Sequence, residues 1–391
     1  MKKTKRIVSV ALAAALLVLP LTGCNESNGS GDTIKIGGLA PLTGEVAQYG
    51  TAVDNAVKMA VDKINETGIL GGKKIEYICY DEKGDSSEAV TMYERLVDEG
   101  VVALVGDVTS KPCKAVAQKA AADNLPMITP SGTQEDITEV GTNVFRACFI
   151  DPYQGELMAT YAKEKLGATT AAILYDNADT YSTGIADAFE AAAKNLGMTV
   201  TNKEGYQGGS SGSKDFNAQL TKIKTNNPDV LMLPVYYSDA ALIAVQAQAQ
   251  GITATLLGAD GWDGVIEKID ASNLSAVANA RFCSQYSATS TDPALQAFLK
   301  EYKEKYGMDA NMFAVLGYDS MMILAEAIDK AGSTDSEAII AALKETNYKG
   351  LTGTTTFDDK RNPVREALIT GFDGDSYKFI ESFSVTSDEN K

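Results

Sequence analysis

The chain has 391 residues, too many for one typical hydrophobic core and suited to two. Its 52 acidic residues outnumber 35 basic ones, which argues against nucleic acid or an anionic membrane face as partner. No histidine occurs, so a Ser-His-Asp triad and a histidine general base are excluded, and no metal or cofactor is expected.

The chain opens on MKKTKRIVSVALAAALLVLPLTGC. Lys2, Lys3, Lys5 and Arg6 form a basic start, an apolar run spans Ile7 to Leu21, and Leu21-Thr22-Gly23-Cys24 closes it. That order is the pattern of a secretory signal, and the run falls short of the about 20 residues that a membrane-spanning helix needs. The closing tetrapeptide looks like a bacterial lipobox, in which the cysteine thiol receives lipid through a thioether. Residues 1–23 therefore read as a lipoprotein signal peptide, with Cys24 lipidated and residues 24–32 a polar Gly/Ser-containing tether. An exported protein, lipid-anchored on the extracytoplasmic face of the cell membrane, is expected.

From Thr33 onward apolar strand-like runs alternate with amphipathic stretches. Strand Thr33–Leu39 leads to helix Ala47–Asn65, which carries Ala52, Ala56, Met59, Ala60 and Ile64 on one face. Strand Lys74–Tyr80, helix Ser86–Glu99, strand Val101–Val105, helix Pro112–Asn124 and strands Pro126–Thr129 and Val144–Phe149 complete a first set. A second set runs helix Pro152–Leu166, strand Thr170–Tyr175, helix Gly184–Leu196, strand Thr199–Gly205, helix Asp215–Asn226, strand Val230–Leu233, helix Ser238–Gln250 and strand Thr255–Gly258. Two such sets predict an α/β protein of parallel sheets covered by helices on both faces. Helices Pro293–Tyr306, Asn311–Ala331 and Ser336–Thr346 follow, then a strand-like tail with a hairpin turn at Asp373-Gly374-Asp375. The late segments lack partners of their own and must pack back on the earlier sets. Chain crossings fall near Asp151, Tyr286 and Glu366, giving lobe 1 as 33–150 with 287–365 and lobe 2 as 151–286 with 366–391. Cys79, Cys113, Cys148 and Cys283 show no disulfide-framework spacing and read as free thiols, mostly buried. Gly208 to Gly212 matches G-x-S-x-G, but with no histidine available it reads as a loop.

Ligands of open parallel sheets sit beyond the carboxyl ends of the strands. Two hydroxyl-rich turns fall there: Gly106-Asp107-Val108-Thr109-Ser110, and Thr129-Pro130-Ser131-Gly132-Thr133. Together they could hold a carboxylate; either one alone is better read as capping its helix, with Ser110 placed for that role. The second set offers Tyr181, Tyr236 and Asp260, apolar walls with a counter-charge for an amine. A zwitterion bridging a cleft would satisfy both sides, while helix capping by Asp260 and ordinary packing of the tyrosines are the plain alternatives.

The runs GGLAPLTGEVAQYG, VALVGDVTS, PMITPSGT, LMLPVYY and LLGADGWDG, in this order along the whole mature chain, resemble the leucine/isoleucine/valine-type amino-acid-binding proteins of bacterial ABC importers. The resemblance implies a type I periplasmic-binding-protein fold, two Rossmann-like lobes joined by three crossovers. It implies a monomeric receptor that passes an aliphatic branched-chain amino acid to ABC permease subunits and catalyses nothing. Position by position, it gives Ser110, Ser131 and Thr133 to the ligand carboxylate, Ser131 mainly through its backbone, and Asp260 to the ammonium. Tyr49, Tyr181, Tyr236 and Phe313 would line the pocket, with Val108 a wall and Trp262 narrowing it. A disulfide that some members carry near Asp81–Asp85 is missing, since Gly84 and Thr109 stand at the matching positions. A receptor for an amide or aromatic acid on the same fold, and an α/β enzyme working through carboxylates, are the alternatives.

Overall fold

The computed structural model describes residues 33–209, 212 and 214–385. The signal, Cys24 and the tether, together with Ser210 and Ser211 of the G-x-S-x-G match, lie outside the described residues.

The first sheet is built from β1 (Thr33–Ala40), β2 (Lys74–Asp81), β3 (Ala103–Val105), β4 (Met127–Thr129) and β5 (Val144–Arg146), in the order β2-β1-β3-β4-β5. All its pairings are parallel. The short inner strands β3 and β4 are wholly buried, as strands covered on both faces must be. The connecting helices are α1 (Ala47–Thr67), α2 (Ser86–Asp98) and α3 (Ser110–Ala122). Asp85 caps α2 by accepting from the Ser87 and Glu88 N–H groups, and α1 ends on Gly68 in the left-handed conformation, φ 67°.

The chain then passes to a second sheet through α4 (Asp151–Glu164). There follow β6 (Thr170–Asp176), α5 (Thr180–Asn195), β7 (Thr199–Tyr206), α6 (Asn217–Asn226), β8 (Val230–Leu233), α7 (Tyr237–Ala249), β9 (Thr255–Gly258) and β10 (Arg281–Ser284). It returns to lay α8 (Pro293–Tyr306) and α9 (Met312–Ala331) against α1, with α10 (Ser336–Lys344) on α9 and a small hairpin, β11 (Tyr348–Gly350) and β12 (Gly353–Thr355). Finally β13 (Ala367–Asp373) and β14 (Ser376–Phe383) join the second sheet, whose order is β14-β13-β10-β9-β8-β6-β7.

That last pair forms the hairpin expected at Asp373-Gly374-Asp375 and adds antiparallel strands to an otherwise parallel sheet. β13 runs antiparallel to β10, and β14 antiparallel to β13. The cause is the tight turn after Asp373, where Gly374 takes φ 62° and folds the tail into a hairpin rather than a crossover. Two apolar runs are also shorter as strands than the sequence suggests. Val101 and Val102 precede β3, and Ala147 to Phe149 continue beyond β5 as buried irregular chain. The Cys79, Cys113, Cys148 and Cys283 thiols are free, Cys79 half-buried and the others buried.

Candidate ligand-binding cleft

The carboxyl ends of β3 and β4 carry the two hydroxyl-rich turns, and the structure laces them together. Ser131 Oγ donates to the Val108 carbonyl at 2.8 Å, and Thr129 Oγ1 donates to the Asp107 carbonyl at 2.6 Å. Ser110 Oγ lies 3.3 Å from Thr133 Oγ1 and accepts from the Gln134 N–H at 3.2 Å. Ser110 is therefore the first residue of α3 and not its cap, a correction to the capping alternative. The cap position falls to Thr109, whose side chain makes no capping bond. The outcome is a cradle of Ser110, Ser131 and Thr133 hydroxyls, all buried, at the positive end of a 13-residue helix.

Facing it are the ends of β6, β8 and β9. The sequence reading starts α5 at Gly184, but capped by Asp179 it begins four residues earlier, at Thr180, which puts Tyr181 on the first turn with its hydroxyl inward. Tyr181 Oη donates to Asp260 Oδ1 at 2.8 Å and accepts from the Gly261 N–H at 2.9 Å. Its ring stacks on Tyr236, centroids 4.8 Å apart and planes 8° from parallel. Asp260 opens a short 3₁₀ turn (Asp260–Trp262), and its own N–H donates to Gln154 Oε1 at 2.9 Å. It is 2 % exposed, and burial pushes its carboxyl up to about 6, against the pull of the Tyr181 and Gln154 hydrogen bonds. The cap position of that turn falls to Ala259, with Asp260 its first residue, so the capping alternative fails here as well.

Phe313, on the first turn of α9, completes the enclosure. Tyr49 stacks on it at 3.9 Å and meets Tyr236 edge-on at 5.8 Å. Val108, Ser110, Ser131, Tyr181, Tyr236, Asp260 and Phe313 line one small cavity, together with Thr109 and Gly261. Gly261 could carry no side chain, because a Cβ would stand 2.6 Å from the Tyr181 hydroxyl. The cavity is about 10 Å³, room for roughly one water, so an amino-acid-sized solute enters only when the walls part. Outside it, past Tyr236 and Thr109, lies a chamber of about 620 Å³ with Glu45, Lys83 and Lys111 on one side and Asp176, Asp179 and Asp239 on the other.

Three expected pocket residues stand differently. Thr133 and Tyr49 sit directly behind the lining, touching it through Ser110 and Phe313. Trp262 does not narrow the pocket: its indole N–H donates to the Leu233 carbonyl at 2.8 Å, and its ring fills the space over Gly258, where a Cβ would lie 2.4 Å away. The 3₁₀ turn directs Asp260 into the cleft and Trp262 into the sheet core, a divergence that linear spacing does not reveal.

The sequence reading missed Asp151. It opens α4 at the first passage between the sheets, 1 % exposed, and neither carboxylate oxygen accepts a well-formed hydrogen bond among the described residues. Burial holds its pKa well above the usual carboxylate range, the Asp260 charge adds to the rise, and Thr133 and Arg146 offset part of it. Asp-Pro at a helix start looks like ordinary initiation, so only the three-dimensional juxtaposition with Thr133 and Asp260 exposes it.

A family model described as periplasmic binding protein matches residues 33–375. The Leu/Ile/Val-binding protein BraC3 of Rhizobium johnstonii is 32% identical over 344 residues, which are 88% of this chain and 89% of that protein. The structure is similar to that of leucine binding protein LivK from Thermotoga maritima, with 31% identity and a TM-score of 0.83 over 90% of this chain and 99% of that one. It is equally similar, at 34% identity and TM-score 0.83 over the same shares, to the branched-chain amino acid transporter substrate binding protein LivJ of Streptococcus pneumoniae in complex with isoleucine. Two α/β sheets facing each other across a strand-end cleft, and a family match along nearly the whole described chain, establish that this chain belongs to the periplasmic binding proteins, in their type I fold.

Proposed function

We propose that this protein is the extracytoplasmic solute-binding receptor of an ABC importer and captures an aliphatic branched-chain amino acid between two closing lobes, 33–150 with 287–365 and 151–286 with 366–391. The observation that carries the reading is the opposition, across one apolar-walled cavity, of the Ser110/Ser131/Thr133 cradle and the Tyr181–Asp260 pair. Hydroxyls and a helix N-terminus suit a carboxylate. A buried aspartate suits an ammonium, which in a dry cleft requires a counter-charge. Tyr236, Phe313 and Val108 leave an apolar wall for an aliphatic side chain, backed by Tyr49. The relatives named for leucine, isoleucine and valine support this choice of ligand.

The LTGC tetrapeptide supports cleavage of the 1–23 signal, lipidation at Cys24 and tethering of a monomeric body to the membrane beside its permease. The receptor reading leaves no reaction for the cleft to catalyse.

Isothermal calorimetry of the purified protein with leucine, isoleucine and valine tests the proposal. Saturable binding of at least one of them, lost with Asp260→Asn, is expected. Absence of heat with all three, while native mass spectrometry shows some other retained solute, would replace the ligand.

A further inference from the structure

The cleft is held shut by contacts made between protein groups, outside the lining of the inner cavity but for the Gly261 carbonyl. The segment leading into α1 meets the second-sheet side through Tyr49 and Glu45. Tyr49 Oη donates to the Gly261 carbonyl at 2.5 Å and accepts from the Tyr237 N–H at 3.1 Å. The Glu45 carbonyl accepts from the Tyr237 hydroxyl at 2.8 Å and from the Ser238 hydroxyl at 3.3 Å. The Glu45 carboxylate also stands 3.2 Å from Lys214 Nζ, whose second partner is Asp239 at 2.7 Å. Tyr49 and Tyr237 meet edge-on, centroids 4.8 Å apart, and Gln48 fills the space over Gly264. Tyr237 is 1 % exposed and lines neither the inner cavity nor the outer chamber.

We propose that residues 45–49 are a latch: the Tyr49 and Tyr237 hydroxyls bolt the closed cleft through bonds from one sheet's side to the other's, setting how long any ligand is held without selecting among ligands. The proposal rests on reading the cleft as a closing clamp. Parting the sheets breaks the Tyr49 bonds, the two bonds to the Glu45 carbonyl and the Glu45–Lys214 pair, while Lys214–Asp239 stays within the second-sheet side, and each of the broken contacts is made between protein groups alone. A contact of that kind favours the closed form whatever the cavity contains, so it scales all affinities together through the closed population. The hydroxyls carry the effect, since the half-exposed Glu45–Lys214 pair is worth little in water. One net hydrogen bond to a neutral partner corresponds to about threefold to tenfold in an equilibrium constant.

Tyr49→Phe and Tyr237→Phe keep both rings and remove the bolts. In stopped-flow dissociation of leucine, isoleucine and valine, each variant should release every ligand about threefold to tenfold faster, by one common factor, with the ratios between ligands unchanged. The double variant should also show a larger radius of gyration without ligand in small-angle scattering. Unchanged rates and an unchanged scattering profile in the double variant would overturn the latch. So would acceleration confined to one amino acid, because it would make these hydroxyls selectivity contacts. If the unaltered protein binds none of the three, the amino-acid assignment fails by itself, and the ligand-free scattering alone decides the latch.

Discussion

Asp260 carries the largest single expectation at the residue scale. Its carboxyl, pushed up to about 6 by burial, must be ionised to hold an ammonium. Amino-acid affinity should therefore be level above about pH 7 and fall as pH drops through about 6, a decline that calorimetry at several pH values would show. Asp260→Asn should cost about 2–5 kcal/mol of binding, the range for truncating one member of a buried hydrogen-bonded charge pair. Near-normal affinity in that variant would remove the ammonium from this position. Stability runs the other way. A carboxyl whose folded pKa lies above its unfolded one destabilises the fold as pH rises from about 4 to its folded value. Asp179 is raised to about 6 and Asp107 and Asp263 to about 7, in the same direction as Asp260. The ligand-free protein should therefore melt at a higher temperature at pH 5.5 than at pH 8, as differential scanning calorimetry would record. Asp151→Asn tests the same direction: removing a buried acid whose pKa stands well above the usual carboxylate range, and which accepts no well-formed hydrogen bond among the described residues, should raise the melting temperature at pH 8.

Among the elements, α9 carries Phe313 to the cavity wall, and its start is fixed by two side chains. Asn311 caps it by accepting the Ala314 N–H, and Asp263 accepts the Met312 N–H at 2.6 Å from the second-sheet side. Asn311→Ala should cost about 1 kcal/mol, the usual worth of an N-cap, read as a lower denaturant midpoint at unchanged slope. A change in slope would mean that more than the cap had been lost. The same elements show what a sequence can express. Alternation of apolar runs and amphipathic faces locates the helices and the strand ends of both sheets, because burial dictates periodicity. It also places Ser110, Ser131, Tyr181 and Asp260 at those ends. Which way a side chain leaves a turn is set by the turn's dihedral angles, so Trp262 reads like a pocket residue and packs into the core. The role of Tyr237 is likewise hidden, since a tyrosine opening a helix carries no mark of a partner 192 residues away.

At the scale of the whole molecule, the folded body and the proposed lipid anchor should be separable devices. The described body begins at Thr33 with β1, whose amino end lies opposite the strand ends that form the cleft. By chain statistics a nine-residue Gly/Ser-containing tether, the proposed role of 24–32, would span about 15–18 Å, enough to let the cleft open and close beside the membrane without strain on β1. Anchoring should then govern where the protein is and not how well it binds. Cys24→Ser removes the thiol that a thioether requires. The variant should leave the membrane fraction, bind amino acid in calorimetry with the affinity of the parent body, and support less uptake in cells, because the local concentration beside the permease is lost. Retention in the membrane fraction would sink the lipid-anchor assignment, since no helix of the described residues is long and apolar enough to cross a membrane. A loss of affinity on release would show instead that the anchored end and the cleft are coupled.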